Sequence, residues 1–188
     1  MGQAPQQFNW PDAALIISAQ LLIVLAIGFS WQTLQAVILP VVRPEMPEIT
    51  GELNDLQTVF TTPEGRPLLL SGYVVDSRMQ SDETVTASLV WEGEGPTLEP
   101  YTVFVHVVDA QGNLVAQQDN WPVEGLWPTT CWRPGEEVVD TYTIDLPQEL
   151  PPGTYSLLAG VYGGLNAERL VTQDGQDTLH LGQFSVGQ

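Results

Sequence analysis

Lysine is absent from this chain, and five arginines stand against 23 acidic residues, for a formal net charge of -18 and a pI near 4.1. Binding nucleic acid through its phosphates needs clustered cations that displace counterions. Arg43, Arg66, Arg78, Arg133 and Arg169 are scattered, which excludes that partner class. The same charge repels an anionic lipid surface unless divalent cations intervene. A single cysteine, Cys131, excludes an intramolecular disulfide, and its expected place is the core, as a small hydrophobe. Two histidines, His106 and His180, with no cysteine pattern beside them make no zinc signature. A nucleophile elbow, a phosphate-cradling glycine loop and a calcium-binding EF-hand loop are all missing. Asp109, Asp119, Glu136, Glu137 and Asp140 could offer oxygen ligands to calcium if folding gathered them, but in so acidic a chain proximity arises by chance. No carboxylate pair is singled out for acid–base hydrolysis. The expectation is a protein without cofactor or metal that is not an enzyme.

Charge is missing altogether from residues 13–42, and Leu21 to Phe29 is an unbroken apolar run. About 20 residues suffice to cross a hydrocarbon core of roughly 30 Å. Trp10 and Trp31 stand 21 residues apart, which in a helix is about 31 Å, the separation of two interfacial belts. Pro11 suits a first helical turn and Pro40 a terminus, with no proline between. A spanning helix over 12–40 follows, after a short tail at 1–11. A cleaved signal peptide is the rival reading, but it needs a basic start and a shorter apolar core, and residues 1–12 hold no Lys or Arg. Membrane lipid is therefore an expected partner. Within the span, the amide of Gln20 either bonds its own backbone or snorkels, or meets a neighbouring helix; with Ser18, Ala26 and Ser30, small enough for close approach, it makes four candidate helix-partner contacts. Trp10 and Trp31 are the interfacial anchors. Arg43 alone flanks the span closely and weakly favours a cytoplasmic C-terminal side.

Prolines at 40, 44 and 47 make residues 41–54 an extended linker, at about 3.1 Å per residue. From residue 55 to 188 the period is two. Thr84, Thr86 and Ser88 alternate with Val85, Ala87, Leu89 and Trp91, and Val138, Asp140, Tyr142, Ile144 and Leu146 share one face. Val103 to Val108 is apolar on both sides, as a central strand is, and His106 within it is expected to be a hydrogen-bonded core residue. Asp109 to Asn113 reads as a hairpin turn and Pro147 to Gly153 as a turn block. The fold expected is all-β, an immunoglobulin-like antiparallel β-sandwich of seven or eight strands preceded by one transmembrane α-helix. The stretch from Asp119 to Glu137 is too long for a hairpin loop and carries Trp121, Trp127 and Trp132 among three prolines. Indoles turned inward make it a cap on the core. Turned outward, they make it a contact surface for protein or glycan.

Three segments carry a resemblance: Tyr101 to Gly112, Leu126 to Glu136, and Leu150 to Leu158. Together they resemble the extracytoplasmic C-terminal β-sandwich of bacterial multi-spanning, protein-mannosyltransferase-like glycosyltransferases. The resemblance covers about residues 55–186 and implies a sandwich outside the cytoplasmic membrane, on its periplasmic or outer face. In those enzymes catalysis belongs to a many-helix membrane part, and one apolar segment cannot build it. Trp127, Pro128, Trp132, Pro134 and Gly135 match the module's pattern, where they shape the loop. The expected function is a single-pass accessory or structural subunit in contact with membrane-protein partners. The alternatives are a membrane-tethered carbohydrate-binding module and a detached fragment of a glycosyltransferase.

Overall fold

The computed structural model describes residues 46–76, 84–163 and 167–187, and Met46–Gln188 form one compact unit. The apolar segment 12–40, its anchors Trp10 and Trp31, and Ser18, Gln20, Ala26 and Ser30 lie outside the described residues. Among the described residues no helix is long and apolar enough to cross a membrane.

The described fold is all-β, in two antiparallel sheets. The strands are β1 (Asn54–Thr61), β2 (Leu68–Val75), β3 (Thr84–Gly93), β4 (Tyr101–Val108), β5 (Leu114–Asn120), β6 (Glu136–Asp145), β7 (Gly153–Gly163), β8 (Val171–Thr172) and β9 (Leu179–Val186). One sheet has the order β6-β3-β2-β1-β8 and the other β5-β4-β7-β9. Alternation decides what is buried. Val85, Ala87, Leu89 and Trp91 of β3 face the core, with Val138, Asp140, Tyr142 and Ile144 of β6. Val103, Val105 and Val107 of β4 and Tyr155, Leu157, Ala159 and Val161 of β7 meet them from the other sheet. Removing each valine, leucine or isoleucine among them from water stabilises the fold by about 1.5–3 kcal/mol. β4 is indeed internal, between β5 and β7.

Among the described residues there are nine strands, against the seven or eight expected. The additional ones show why alternation understates the count. β8 is two residues long, and β1 buries only Phe60 completely, so its sequence carries little pattern. Residues 46–53 contain no helix or strand, and Met46 packs against the core. The β4–β5 turn forms as its composition requires. Asp109 Oδ1 accepts the N–H groups of Gln111 at 2.9 Å and Asn113 at 2.8 Å, and Gly112 takes φ +83°.

Strand register sorts the loops between two ends. Pairings Phe60–Leu68, Leu68–Gly93 and Gly93–Glu136 set the 62–67 turn, the 94–100 connection and the tryptophan loop at one end. Asn54–Tyr73, Thr84–Asp145 and Gly153–Val186 mark the other, where the chain enters β1.

Candidate functional site

The stretch between β5 and β6 carries the chain from one sheet to the other, and its folding explains its composition. The N–H of Gly125 donates to Trp121 O at 2.8 Å, that of Leu126 to Val123 O at 2.9 Å, and that of Trp127 to Pro122 O at 3.1 Å. Val123 and Glu124 have φ of +57° and +52°, followed by Gly125 at +82°. A β-branched residue in that region is unusual, and each such residue costs on the order of 1–3 kcal/mol. The restraint that holds it is Asp140. Its Oδ1 accepts the Val123 N–H at 2.8 Å and its Oδ2 accepts the Tyr142 hydroxyl at 2.6 Å, with the residue 2% exposed. Burial pushes the Asp140 carboxyl up to about 6, opposed by these two hydrogen bonds and reinforced by Glu124. Further along, a 3-10 turn at Thr129–Cys131 turns Thr129 inward, where its hydroxyl accepts the Tyr101 N–H at 3.1 Å and lies 2.7 Å from that of Thr97.

The three tryptophans separate. Trp132 is 1% exposed and its indole N–H donates to Trp127 O at 2.9 Å, while Trp127 is 5% exposed. These two belong to the core, the inward alternative of the sequence reading, so neither ring presents a face for protein or glycan contact. Trp121 is 44% exposed and keeps one. Cys131 is exposed, not buried as expected, because the turn that sends Thr129 inward sends it out.

Outward from the four-stranded sheet lies a second cluster. Phe104 is 1% exposed on this outer face, covered by the Arg169 guanidinium at 4.8 Å and flanked by the rings of His106 at 4.4 Å and Tyr162 at 6.2 Å. His106 therefore sits half-buried on the outer side of its strand, not in the core as expected, although it is hydrogen-bonded as expected. Its Nε2 lies 3.2 Å from Asp119 Oδ1. Burial holds the imidazole below its ordinary value and outweighs the opposing pull of Asp119. The Tyr162 hydroxyl donates to Asp119 Oδ2 at 3.4 Å, and burial followed by the Asp119 charge raises its pKa. Asp119, Tyr162 and Trp121 then line one shallow groove with Thr102, Asn120, Glu124 and Gly125.

Gly160 makes room for this cluster. A Cβ there would lie 2.3 Å from Phe104 Cζ and 2.8 Å from the Asp177 carbonyl oxygen. Gly160→Ala is expected to cost about 1–3 kcal/mol by overpacking, read as a lower denaturation midpoint. An unchanged midpoint would show that Phe104 can move aside freely.

Of the acidic residues considered for calcium, Asp109 closes a hairpin, Asp119 accepts from His106 and Tyr162, and Asp140 is committed to Val123 and Tyr142. Among the described residues no three His, Cys, Asp or Glu side chains come together as a metal site. Sequence reasoning missed the Asp140 clamp, although an aspartate on the otherwise apolar inward face of β6 was its signal. It also missed the groove, whose residues come from β4, β5, β7 and the loop.

No protein-family model matches this chain, and no curated protein matches it. Among solved structures, a β-glucuronidase from glycoside hydrolase family 2 is similar over 53% of this chain and 10% of its own, at 12% identity and a TM-score of 0.39. The matched part is thus a small fraction of that chain, and a likeness of this degree carries no argument about activity.

Proposed function

We propose that this chain is a single-pass membrane accessory subunit, without catalytic activity, that projects an immunoglobulin-like sandwich on the extracytoplasmic face for contact with membrane-protein partners. The observation that carries this reading is the uncharged segment 13–42, bracketed by Trp10 and Trp31, ahead of a unit that is acidic and all-β. The side of the membrane rests on the resemblance of residues 55–186 to extracytoplasmic modules. The chain enters the sandwich at one end and the tryptophan loop lies at the other.

The finer fold assignment has two supports. β2, β3 and β6 neighbour one another in one sheet, and β5, β4, β7 and β9 follow in order in the other, the arrangement of a seven-strand immunoglobulin-like core with β1 and β8 added at an edge. The Tyr155 hydroxyl, near the start of β7, donates to Pro151 O at 2.7 Å across the corner between β6 and β7. That contact resembles the tyrosine corner of such sandwiches and supports the assignment.

Two separations test the reading. Alkaline carbonate washing is expected to leave the intact chain in the membrane pellet, and quantitative release without detergent would remove the membrane assignment. Purification in mild detergent is then expected to yield a stoichiometric complex, and a lone monomer would remove the subunit assignment. A glycan-binding module would instead bind an oligosaccharide panel, with Trp121 as the platform, since Trp127 and Trp132 are buried.

A further inference from the structure

The groove on the outer face of the four-stranded sheet has a chemistry of its own. Thr102, Asp119, Asn120, Trp121, Glu124 and Tyr162 surround about 320 Å³ of open space. Asp119 is held in place, with His106 on one carboxylate oxygen and Tyr162 on the other. Glu124 is exposed on a left-handed residue, and its charge is felt by Asp140 behind the loop. No arginine is among the lining residues, and the chain has no lysine to fold in. The nearest cation in this cluster, Arg169, lies over Phe104 and 3.2 Å from Asp177.

Two carboxylates beside an exposed indole and a phenol ring favour one kind of guest. A cation over the ring faces gains from their quadrupoles, and the carboxylates supply the countercharge. A planar guanidinium does both at once, stacking on the indole while pairing with a carboxylate through two N–H donors. A neutral sugar could use the indole, but it would cover Asp119 and Glu124 without compensating their charge. Long-range attraction acts the same way, since a chain of net charge -18 draws basic surfaces towards it.

We propose that this groove receives an arginine side chain of the partner protein, held between Trp121 and Tyr162 and neutralised by Asp119 and Glu124. The inference rests on the subunit reading above, because it names the chemistry of that contact.

The test uses the full chain in a non-ionic detergent, with its tryptophan indoles labelled with nitrogen-15 and followed by NMR. Titration with N-acetyl-arginine amide is expected to shift the Trp121 indole signal saturably, while N-acetyl-norleucine amide leaves it unmoved. Asp119→Asn with Glu124→Gln is expected to weaken binding roughly tenfold, and Glu124→Gln alone, at an exposed side chain, about threefold. Raised salt is expected to weaken it further. Absence of a saturable shift, equal affinity in the Glu124→Gln variant, or saturation by a mannose oligosaccharide in place of the arginine compound would each overturn the proposal. The two readings fail separately. Arginine binding by a chain that carbonate releases keeps the groove and removes the membrane subunit, and a silent groove on a membrane-bound complex does the reverse.

Discussion

Trp132→Ala is expected to cost about 3–5 kcal/mol, the range for removing a large aromatic from a packed core. For a domain whose total stability is on the order of 5–15 kcal/mol, such a loss takes a large part of the margin. Burial and two contacts underlie the size of the effect. Trp132 is 1% exposed, and its N–H donates to Trp127 O at 2.9 Å. Its ring lies so close to Gly93 that a Cβ there would approach Cε3 to 2.9 Å. The ring thus fills the space between β3 and the loop, and its loss leaves a cavity and removes the hydrogen bond to Trp127 O. Trp121→Ala is the matched control: with its ring 44% exposed, the expected change is within about 0.5 kcal/mol. Denaturation of the detergent-solubilised chain, followed by near-ultraviolet circular dichroism, compares the two. Equal midpoints for both variants would contradict the division of this loop into core and surface tryptophans.

At pH 8, Asp140→Asn is expected to be more stable than the natural chain, by up to about 3 kcal/mol. The sign follows from the direction of the shift. Burial raises the carboxyl from 3.8 to about 6, so the folded state binds the proton more tightly than the unfolded state does. The stability this group contributes is complete below pH 3.8 and is lost as pH rises through about 6. Above that, the fold holds a buried charge compensated by two hydrogen bonds. An asparagine keeps an acceptor for the Val123 N–H and offers its amide to the Tyr142 oxygen, while removing the charge. The advantage of the variant is therefore expected to shrink as pH falls from 8 towards 4. The groups facing this carboxylate are Tyr142 on its own strand and Glu124 on the loop, with Asp119 and Tyr162 acting on Tyr142. The difference between the two chains isolates Asp140 from the other carboxylates, which titrate in both. Parallel stability curves across the range, or a variant less stable at every pH, would show that charge burial at Asp140 does not limit the fold.

How much of this was legible in advance differs from element to element. β2, β3, β6 and β7 were readable because a strand with one face in the core imposes a two-residue period, and β4 because a central strand is apolar on both faces. β1 escaped because only Phe60 is fully buried within it, leaving little contrast between its faces. The tryptophan loop was recognisable as unusual, yet the fate of each indole was not. An irregular segment has no period from which to infer which way a side chain points. Cys131 shows the same limit: a cysteine is most often buried, but one 3-10 turn places Thr129 inside and Cys131 outside. The groove was invisible for a further reason. Thr102, Asp119, Glu124 and Tyr162 come from three strands and a loop beyond them, and only the pairing of β4 with β5 and β7 makes them neighbours.

By itself the sequence determined properties that depend on local composition: the alternation that makes strands, the acidity of the chain, and the long uncharged run ahead of the β unit. Tertiary structure alone decided the order of the strands, which tryptophans the core takes, that Asp140 restrains the left-handed Val123, and that Trp121 and Tyr162 share a groove with Asp119. The physical reason is one of range. Solvation and backbone preference act residue by residue and leave a pattern in the chain, whereas packing and buried hydrogen bonds join groups far apart in it and leave none.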